Sequence, residues 1–365
     1  MKDKSIHVLN FVGLGFFEPA IRLVSGEEVK KNGISLFKKV FLPLISVLIF
    51  LLLWHYGAMA LYNIEKDARI EKALTERGQE AANAEQLCIE SGDKNCRIST
   101  LPTPVQVWDA FQSLLADHSI ISEKKEIFAD KVAATNEKRI AKGLEPITYT
   151  GRPSFVDQIW TSLKTVFAGF LLALFIAVPI GIMLGLSETL RSSVNWLIQI
   201  FKPVSPVVWL LLVTMIVVTL SKGSDGDSAF TISFISVGLC SMWATLVNTT
   251  MGVSSVDKDY INVAKVLNLS IGQKVFKIIL PSSFPLIFTG LRITLSVAWM
   301  VLIAIELLAQ SPGLGSFVWE EFQNGSSESN SKIIVAMFVI GIIGFLLDRI
   351  MLTIQKFVTF TEETA

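Results

Sequence analysis

The sequence predicts an all-α, polytopic membrane protein with six transmembrane helices. Three observations lead to this prediction. Of its 365 residues, 51% are hydrophobic and only 18% are charged, with a mean hydropathy of +0.54. Six stretches are apolar over about 20 residues, enough to cross a bilayer core roughly 30 Å thick. Lysine and arginine concentrate in alternate connections between these stretches. A soluble globular protein is excluded, because so few charged residues cannot cover the surface of a fold with this apolar content. A disordered chain is excluded because such chains have low hydrophobicity.

The spans are predicted from the positions of the apolar stretches. They cover residues 41–62, 165–186, 203–220, 228–249, 282–308 and 332–354. The third begins earlier, near Val194, if its polar flank is included. The first stretch is too long and too far from the start for a cleaved signal peptide, so it is a permanent span.

Lysine and arginine predict the orientation in an inner (plasma) membrane. They are frequent in residues 1–40 and in the connection around residues 250–280, whereas the opposite short connections hold Lys222 and, at the border, Lys332. Both termini are therefore expected in the cytoplasm. This predicts a cytoplasmic segment 1–40, an extracytoplasmic loop 63–159, a transmembrane domain 160–358 and a cytoplasmic tail 359–365.

The long loop 63–159 has features of its own. Residues 65–90 are rich in Ala, Glu, Lys and Gln, which predicts a helix. Cys88 and Cys96 can form a disulfide if this side is oxidising, and two free thiols are the alternative. The apolar stretch 6–17 is too short to span and is expected either to lie on the cytoplasmic membrane face or to pack on the domain.

Composition also excludes several functions. Lys plus Arg and Asp plus Glu both total 32, so the net charge is zero, which argues against nucleic-acid binding. Three cysteines lack the spacing of a zinc site, and no metal site is expected. The sequence has no G-x-x-x-x-G-K-[ST] motif, so this chain does not bind ATP in that way.

The connection at about 250–280 is the most informative part of the chain. Asp259 or Ser255 is expected to cap a helix that runs to Leu267. The apolar side chains on one face of this helix recur at helical spacing: Tyr260, Val263, Ala264 and Leu267.

A second short helix is predicted after the first. Asn268 tolerates the left-handed conformation that ends a helix, and Ser270 can cap the next one. Pro281 and Pro285 would start the fifth span, where a missing N–H costs little. The connection is thus predicted to hold two short helices at an angle.

This connection resembles the loop of permeases from binding-protein-dependent ABC importers. Those permeases carry Glu-Ala-Ala, three residues, Gly, nine residues and then Ile-x-Leu-Pro. The aligned positions are Asn262, Val263, Ala264, Asn268, Ile278, Leu280 and Pro281. Ala264, Ile278, Leu280 and Pro281 keep the family residues, whereas Asn replaces both Glu and Gly and Val replaces the first Ala.

The flanking segments resemble one subgroup. The string FKPVSPVVWLLLV at 201–213 and residues 284–324 look like the nitrate, sulfonate and taurine permeases, and residues 260–270 look like the nitrate type. The resemblance runs from about Pro102 to the C-terminus, apart from an extra stretch near residues 120–150.

The resemblance implies a type I ABC importer permease fold. Such a subunit pairs with a second permease copy, inserts its loop into an ATP-binding subunit and receives substrate from a binding protein. ATP and Mg²⁺ would then belong to the partner, and this chain would carry no cofactor and be no enzyme. Nitrate is the implied substrate, with sulfonate or taurine, cyanate and bicarbonate as alternatives. A secondary transporter or channel, or a membrane-anchored sensor, is a different class of protein that the residues alone leave open.

Four residues within the spans are candidates for a translocation path. Arg292 and Glu306 are 14 residues apart in the fifth span, about 21 Å along a helix, and therefore cannot pair with each other. Arg292 is either an anion contact or the partner of a carboxylate. Glu306 would repel an anion and is otherwise a hydrogen-bonded fixture between spans. Asn248 and Trp299 either line the path or pack between helices.

Overall fold

The computed structural model describes residues 18–25, 29–91, 96–220 and 228–359, and within these ranges all regular structure is helical. The helices are α1 Glu18–Val24, α2 Val29–Arg77, α3 Gln79–Ser91, α4 Pro104–Ala141, α5 Phe155–Leu186, α6 Glu188–Phe201, α7 Pro206–Leu220, α8 Ser228–Ser254, α9 Lys258–Val266, α10 Ile271–Ala309, α11 Leu314–Asn324 and α12 Ser327–Thr359. Wide π-helical turns interrupt α2 at Phe37–Phe41 and α10 at Val275–Ile279. The predicted membrane-face stretch 6–17 lies outside the described residues, as does nearly all of the predicted tail.

The helical fold confirms the predicted class. Among the described residues, α2, α5, α8, α10 and α12 are long and apolar enough to cross a membrane, and the pair α6 and α7 makes a sixth crossing if it is one span. The two helices of this pair meet at 101°. Pro203 lies between them and Pro206 begins α7, so neither residue supplies the N–H group that would continue α6. The third span, if it begins near Val194, is therefore divided between α6 and α7.

The chain divides into two compact units. Unit 1 comprises Met1–Val156 and Glu320–Val339, and unit 2 comprises Asp157–Trp319 and Ile340–Ala365. Unit 1 holds a hairpin of α2 and α3 that turns at Gly78, whose φ of 86° favours glycine. Residues 65–90 are helical as predicted, and Gly78 divides them between α2 and α3. Cys88 and Cys96 form a disulfide across the end of α3, with Cα atoms 5.7 Å apart.

The start of α4 anchors the rest of unit 1. The Thr103 side chain and Gln106 form a capping box, and Pro104 occupies the first turn. The Trp54 indole N–H donates to the carbonyl of Pro102 at 3.0 Å, and its ring lies 5.6 Å from that of Phe338. These contacts fix α4 against α2 within the unit.

Small residues bring the helices of unit 2 close together. A Cβ atom placed on Gly181 of α5 would lie 2.6 Å from the Cβ of Thr249, and one on Gly185 would lie 2.5 Å from that of Val253. Between α8 and α10, the hydroxyls of Thr245 and Thr294 are hydrogen-bonded at 2.7 Å. Close backbone approach and side-chain hydrogen bonds are the usual ways in which membrane helices associate.

Candidate functional site

The connection between α8 and α10 contains the short helix α9, which Asp257 caps. The Asp257 carboxylate accepts a hydrogen bond from the backbone N–H of Asp259 at 3.0 Å. The predicted caps, Asp259 and Ser255, are therefore wrong. The Ser255 hydroxyl instead donates to the carbonyl of Gly252 at 3.1 Å, within the last turn of α8.

The turn after α9 follows the prediction. Asn268 has a φ of 49°, in the left-handed region, and the N–H of Leu269 donates back to the carbonyl of Ala264 at 3.1 Å. The Ser270 side chain accepts from the N–H of Gln273, whose side chain accepts from the N–H of Ser270. This capping box confirms Ser270 as the start of the next helix.

The predicted second short helix does not exist as a separate element. Helix α10 runs without a gap from Ile271 to Ala309. A π turn precedes Pro281, and the N–H of Leu280 donates to the carbonyl of Val275, five residues earlier. A wide turn relieves the clash that a proline ring makes with the carbonyl four residues before it in a regular helix. Residues 271–279 are consequently the first part of the long apolar helix.

Helix α9 and the residue that follows it present an exposed apolar ridge, which we define as Tyr260 and Val263 of α9 together with Leu267, directly after the helix. These side chains are 57%, 52% and 62% exposed. Ala264, predicted on the same face, is 2% exposed and faces inward. A nine-residue helix is too short to span a bilayer, so an exposed ridge on it can dock into a groove of a partner protein.

The other positions of the loop motif divide between surface and interior. Asn262 and Pro281 are exposed, whereas Ile278 and Leu280 are half-buried. Ile279, which the motif comparison did not single out, is buried. The isoleucine, leucine and proline positions of the motif therefore lie within α10, at its π turn, while the ridge faces outward.

Arg292 forms a bidentate ion pair with Asp348 of α12. Its Nε donates to Oδ1 at 2.5 Å and its Nη2 to Oδ2 at 2.8 Å. The two side chains are 37% and 26% exposed, so the pair is neither fully buried nor fully solvated. This is the carboxylate partner that the sequence left open as an alternative to an anion contact.

The pair lies in the wall of a cavity of about 600 Å³ between α10 and α12. The lining is largely apolar, with Ile293, Val297 and Met300 among its residues. Its polar side chains bond locally: the hydroxyl of Ser296 donates to the carbonyl of Arg292 at 3.1 Å. The guanidinium and the carboxylate are the two charged groups of this wall.

Glu306 fastens the loop that follows α10 to helix α5. The hydroxyl of Ser162 donates to both carboxylate oxygens at 2.8 and 2.9 Å, and the N–H of Gly315 donates to one of them at 2.9 Å. The N–H of Leu314 in turn donates to the Ser162 oxygen at 2.9 Å. Glu306 has no exposed surface, so its environment is that of a hydrogen-bonded fixture between helices.

Asn248 and Trp299 both lie at helix contacts. The Asn248 amide donates to the carbonyl of Ala244 in its own helix at 2.8 Å. Trp299 is 4% exposed, and its indole N–H donates to the carbonyl of Ile340 at 3.0 Å. Arg292 is thus the candidate path residue that lines a cavity, and the path roles of all four residues stay predictions.

Sequence reasoning missed three partners. Asp348 was visible as a charge near the end of the sixth span, and its opposite sign could have suggested the pair with Arg292. Ser162 and Gly315 gave no signal, because serine and glycine are common in membrane helices. Within the described ranges, no three His, Cys, Asp or Glu side chains are arranged to hold a metal ion.

Comparison with known proteins places this arrangement in context. The family described as "binding-protein-dependent transport system inner membrane component" matches residues 177–359, which include α9, Arg292 and Asp348. The nitrate import permease protein NrtB of Synechococcus elongatus is 33% identical over 202 residues, which are 55% of this chain and 69% of that protein. The bicarbonate transport system permease protein CmpB of Synechocystis is 38% identical over 202 residues, 55% of this chain and 68% of that protein. Among solved structures, the inward-facing MetNI methionine ABC transporter matches with a TM-score of 0.48 and 17% identity, covering 56% of this chain and 96% of that one.

Proposed function

Because the chain belongs to the family of binding-protein-dependent transport system inner membrane components, we propose that it carries a small oxyanion, nitrate in the first place, as the permease subunit of an ABC importer. The exposed ridge on α9 is the observation that carries the mechanism, since a permease must transmit work from an ATP-binding subunit. Two permeases named as nitrate importers match this chain over about two thirds of their length, which supports the substrate.

The ridge docks on the ATP-binding subunit. Tyr260 and Val263 occupy positions i and i+3 of α9. Leu267 directly follows the helix, and its N–H donates to the carbonyl of Val263 at 3.0 Å, so it continues the spacing with which a helix fills an apolar groove. A four-residue turn, 267–270, joins α9 to α10, and α10 runs from Ile271 into the span, so a displacement of the docked segment moves the span as a lever. ATP and Mg²⁺ are held by the partner, and the permease alternates between two orientations of its path.

Docking is tested by co-purification of the ATP-binding subunit with two matched variants. Val263→Glu places a charge in the ridge, and burying that charge in an apolar groove is unfavourable. We expect at least a tenfold loss of co-purified ATP-binding subunit. Asn262→Glu adds the same charge at the neighbouring exposed position, where the family carries Glu, and should leave binding intact. Equal retention of the partner by both variants would refute the docking role of the ridge.

The substrate is tested by ATP hydrolysis of the reconstituted complex with its binding protein. Nitrate should stimulate hydrolysis, while chloride at equal concentration should not. Bicarbonate is the second candidate, because the relative named as a bicarbonate permease is 38% identical. Stimulation by bicarbonate alone would reject nitrate and retain the importer.

Orientation and assembly complete the proposal. The positive charges of the N-terminal segment and of the α8–α10 connection put α9 on the cytoplasmic side, where ATP is available. The loop 63–159, which contains the Cys88–Cys96 disulfide, is then expected on the opposite side, which is the side of the binding protein. The complex holds a second permease copy, and its mass by light scattering in detergent tests for two copies.

A further inference from the structure

We infer that Arg292 is a specificity-determining contact for the transported anion, and that Asp348 holds its guanidinium in the unloaded chain and gives way to the anion during transport. This inference rests on the proposed import of an oxyanion.

The geometry of the pair carries the mode of recognition. Arg292 offers Asp348 two N–H groups, Nε and Nη2, which donate to the two oxygens of one planar carboxylate at 2.5 and 2.8 Å. Nitrate and bicarbonate are also planar, and two of the three oxygens on their central atom can accept from the same two donors. A guanidinium fork binds such groups bidentately, whereas a lysine offers only a point charge. Chloride is a single atom and cannot accept both hydrogen bonds in linear geometry.

The position of the pair makes exchange feasible. Both side chains reach the cavity between α10 and α12, with 37% and 26% of their surfaces exposed. The cavity of about 600 Å³ is far larger than one small anion. Its polar neighbours are already engaged: the Thr289 hydroxyl donates to the carbonyl of Pro285 at 2.8 Å. The guanidinium therefore supplies the attraction for an anion, and the apolar remainder of the wall offers no competing charge.

Charge balance explains why the carboxylate must move. With Asp348 bound, the pair is neutral, and an approaching anion meets a carboxylate as well as a guanidinium. If the anion takes the two N–H groups, the guanidinium stays compensated and the displaced Asp348 carboxylate becomes the unpaired charge, whose cost in an apolar wall favours its return. When Asp348 returns, it displaces the anion. Asp348 is thus a positioning residue and an internal competitor that limits how tightly the anion is held.

The test compares three variants in proteoliposomes with the ATP-binding subunit and binding protein. The charge swap Arg292→Asp with Asp348→Arg preserves an ion pair across the same two helices but moves the cation to α12. We expect it to assemble with the ATP-binding subunit and to remain monodisperse, with nitrate uptake reduced at least tenfold. Asp348→Asn removes the competitor, and the nitrate concentration for half-maximal thermal stabilisation of the purified permease should fall at least tenfold, with chloride as control.

A milder variant guards against misfolding. Arg292→Gln with Asp348→Asn is neutral and keeps hydrogen-bonding side chains, and it should remain monodisperse while losing stabilisation by nitrate. Wild-type uptake by the charge swap, or unchanged nitrate dependence in Asp348→Asn, would overturn the inference and leave the pair as a structural contact. If the wild-type complex imports bicarbonate and not nitrate, the same variants are assayed with bicarbonate, so the nitrate assignment fails separately. A wild-type complex that imports no oxyanion overturns both proposals.

Discussion

Replacing Glu306 with alanine should loosen the loop after α10 and destabilise the permease. The carboxylate accepts hydrogen bonds from the Ser162 hydroxyl and the Gly315 N–H, and it has no exposed surface. Alanine leaves these two buried donors without their acceptor, at about 1–3 kcal/mol each. The expected loss in free energy of unfolding is therefore about 2–6 kcal/mol. The lower value applies if the serine hydroxyl rotates to a carbonyl of its own helix.

Thermal unfolding in detergent, followed by size-exclusion chromatography after heating, measures this loss. At about 2–4 °C per kcal/mol, the midpoint should fall by at least about 4 °C. Glu306→Gln keeps one acceptor oxygen and should lie between alanine and wild type. Glu320→Ala removes an exposed carboxylate from α11 and serves as the control. The control should shift the midpoint by no more than about 1 °C. A midpoint for Glu306→Ala within 1 °C of wild type would refute the role of Glu306 in holding the loop, since so small a change corresponds to less than about 0.5 kcal/mol.

Three further predictions concern the backbone, the helix packing and the disulfide. Asn268→Val should destabilise the turn after α9 by about 1–2 kcal/mol because φ is 49°, and Asn268→Gly should not; stimulated ATP hydrolysis and thermal midpoints check both, and equal values would contradict the strain argument. Gly181→Val should cost about 1–3 kcal/mol, because its side chain would clash with Thr249, and an unchanged midpoint would be inconsistent with the close approach of α5 and α8. Cys88→Ser should lower the stability of the α2–α3 hairpin by about 2–3 kcal/mol, seen as faster proteolysis near residue 91; wild-type protein treated with reductant should behave alike, and no difference would mean that the disulfide does not stabilise this hairpin.

Long apolar stretches and local capping signals were predictable from the sequence. The length of an apolar run is set by the thickness of the bilayer, so five spans appear as long helices without reference to tertiary contacts. The Ser270 capping box and the left-handed Asn268 depend only on neighbouring residues, which is why local reasoning found them. Both signals position α9, the helix on which the proposed coupling depends.

Helix continuity was harder to predict than helix existence. Pro281 was expected to start the fifth span, but the π turn before it lets α10 continue through. At Gly78 the opposite happened: one glycine with a positive φ ended a helix that composition alone would have extended. Helix propensity summed over a sequence window predicts neither the π turn nor the helix end at Gly78, because each depends on the geometry of one turn.

The partners of the charged residues depend on helix–helix register. Arg292 and Asp348 are 56 residues apart, and they meet because α10 and α12 pack against each other. Ser162 and Glu306 are 144 residues apart. The sequence showed that a charge inside a span needs a partner, and it offered the right kind of partner for both residues. It did not contain the rotation of each helix about its axis, which selects the particular side chain.

ATP-dependent accumulation of nitrate in proteoliposomes is the decisive test of whether ATP hydrolysis, transmitted through α9, drives import by this permease. The vesicles contain the permease and its ATP-binding subunit, with ATP inside and the binding protein and labelled nitrate outside. We expect nitrate to accumulate against its concentration gradient. This accumulation should require hydrolysable ATP, and it should be lost in Val263→Glu but not in Asn262→Glu. Uptake that proceeds without ATP, or that Val263→Glu leaves intact, would contradict a permease driven through α9.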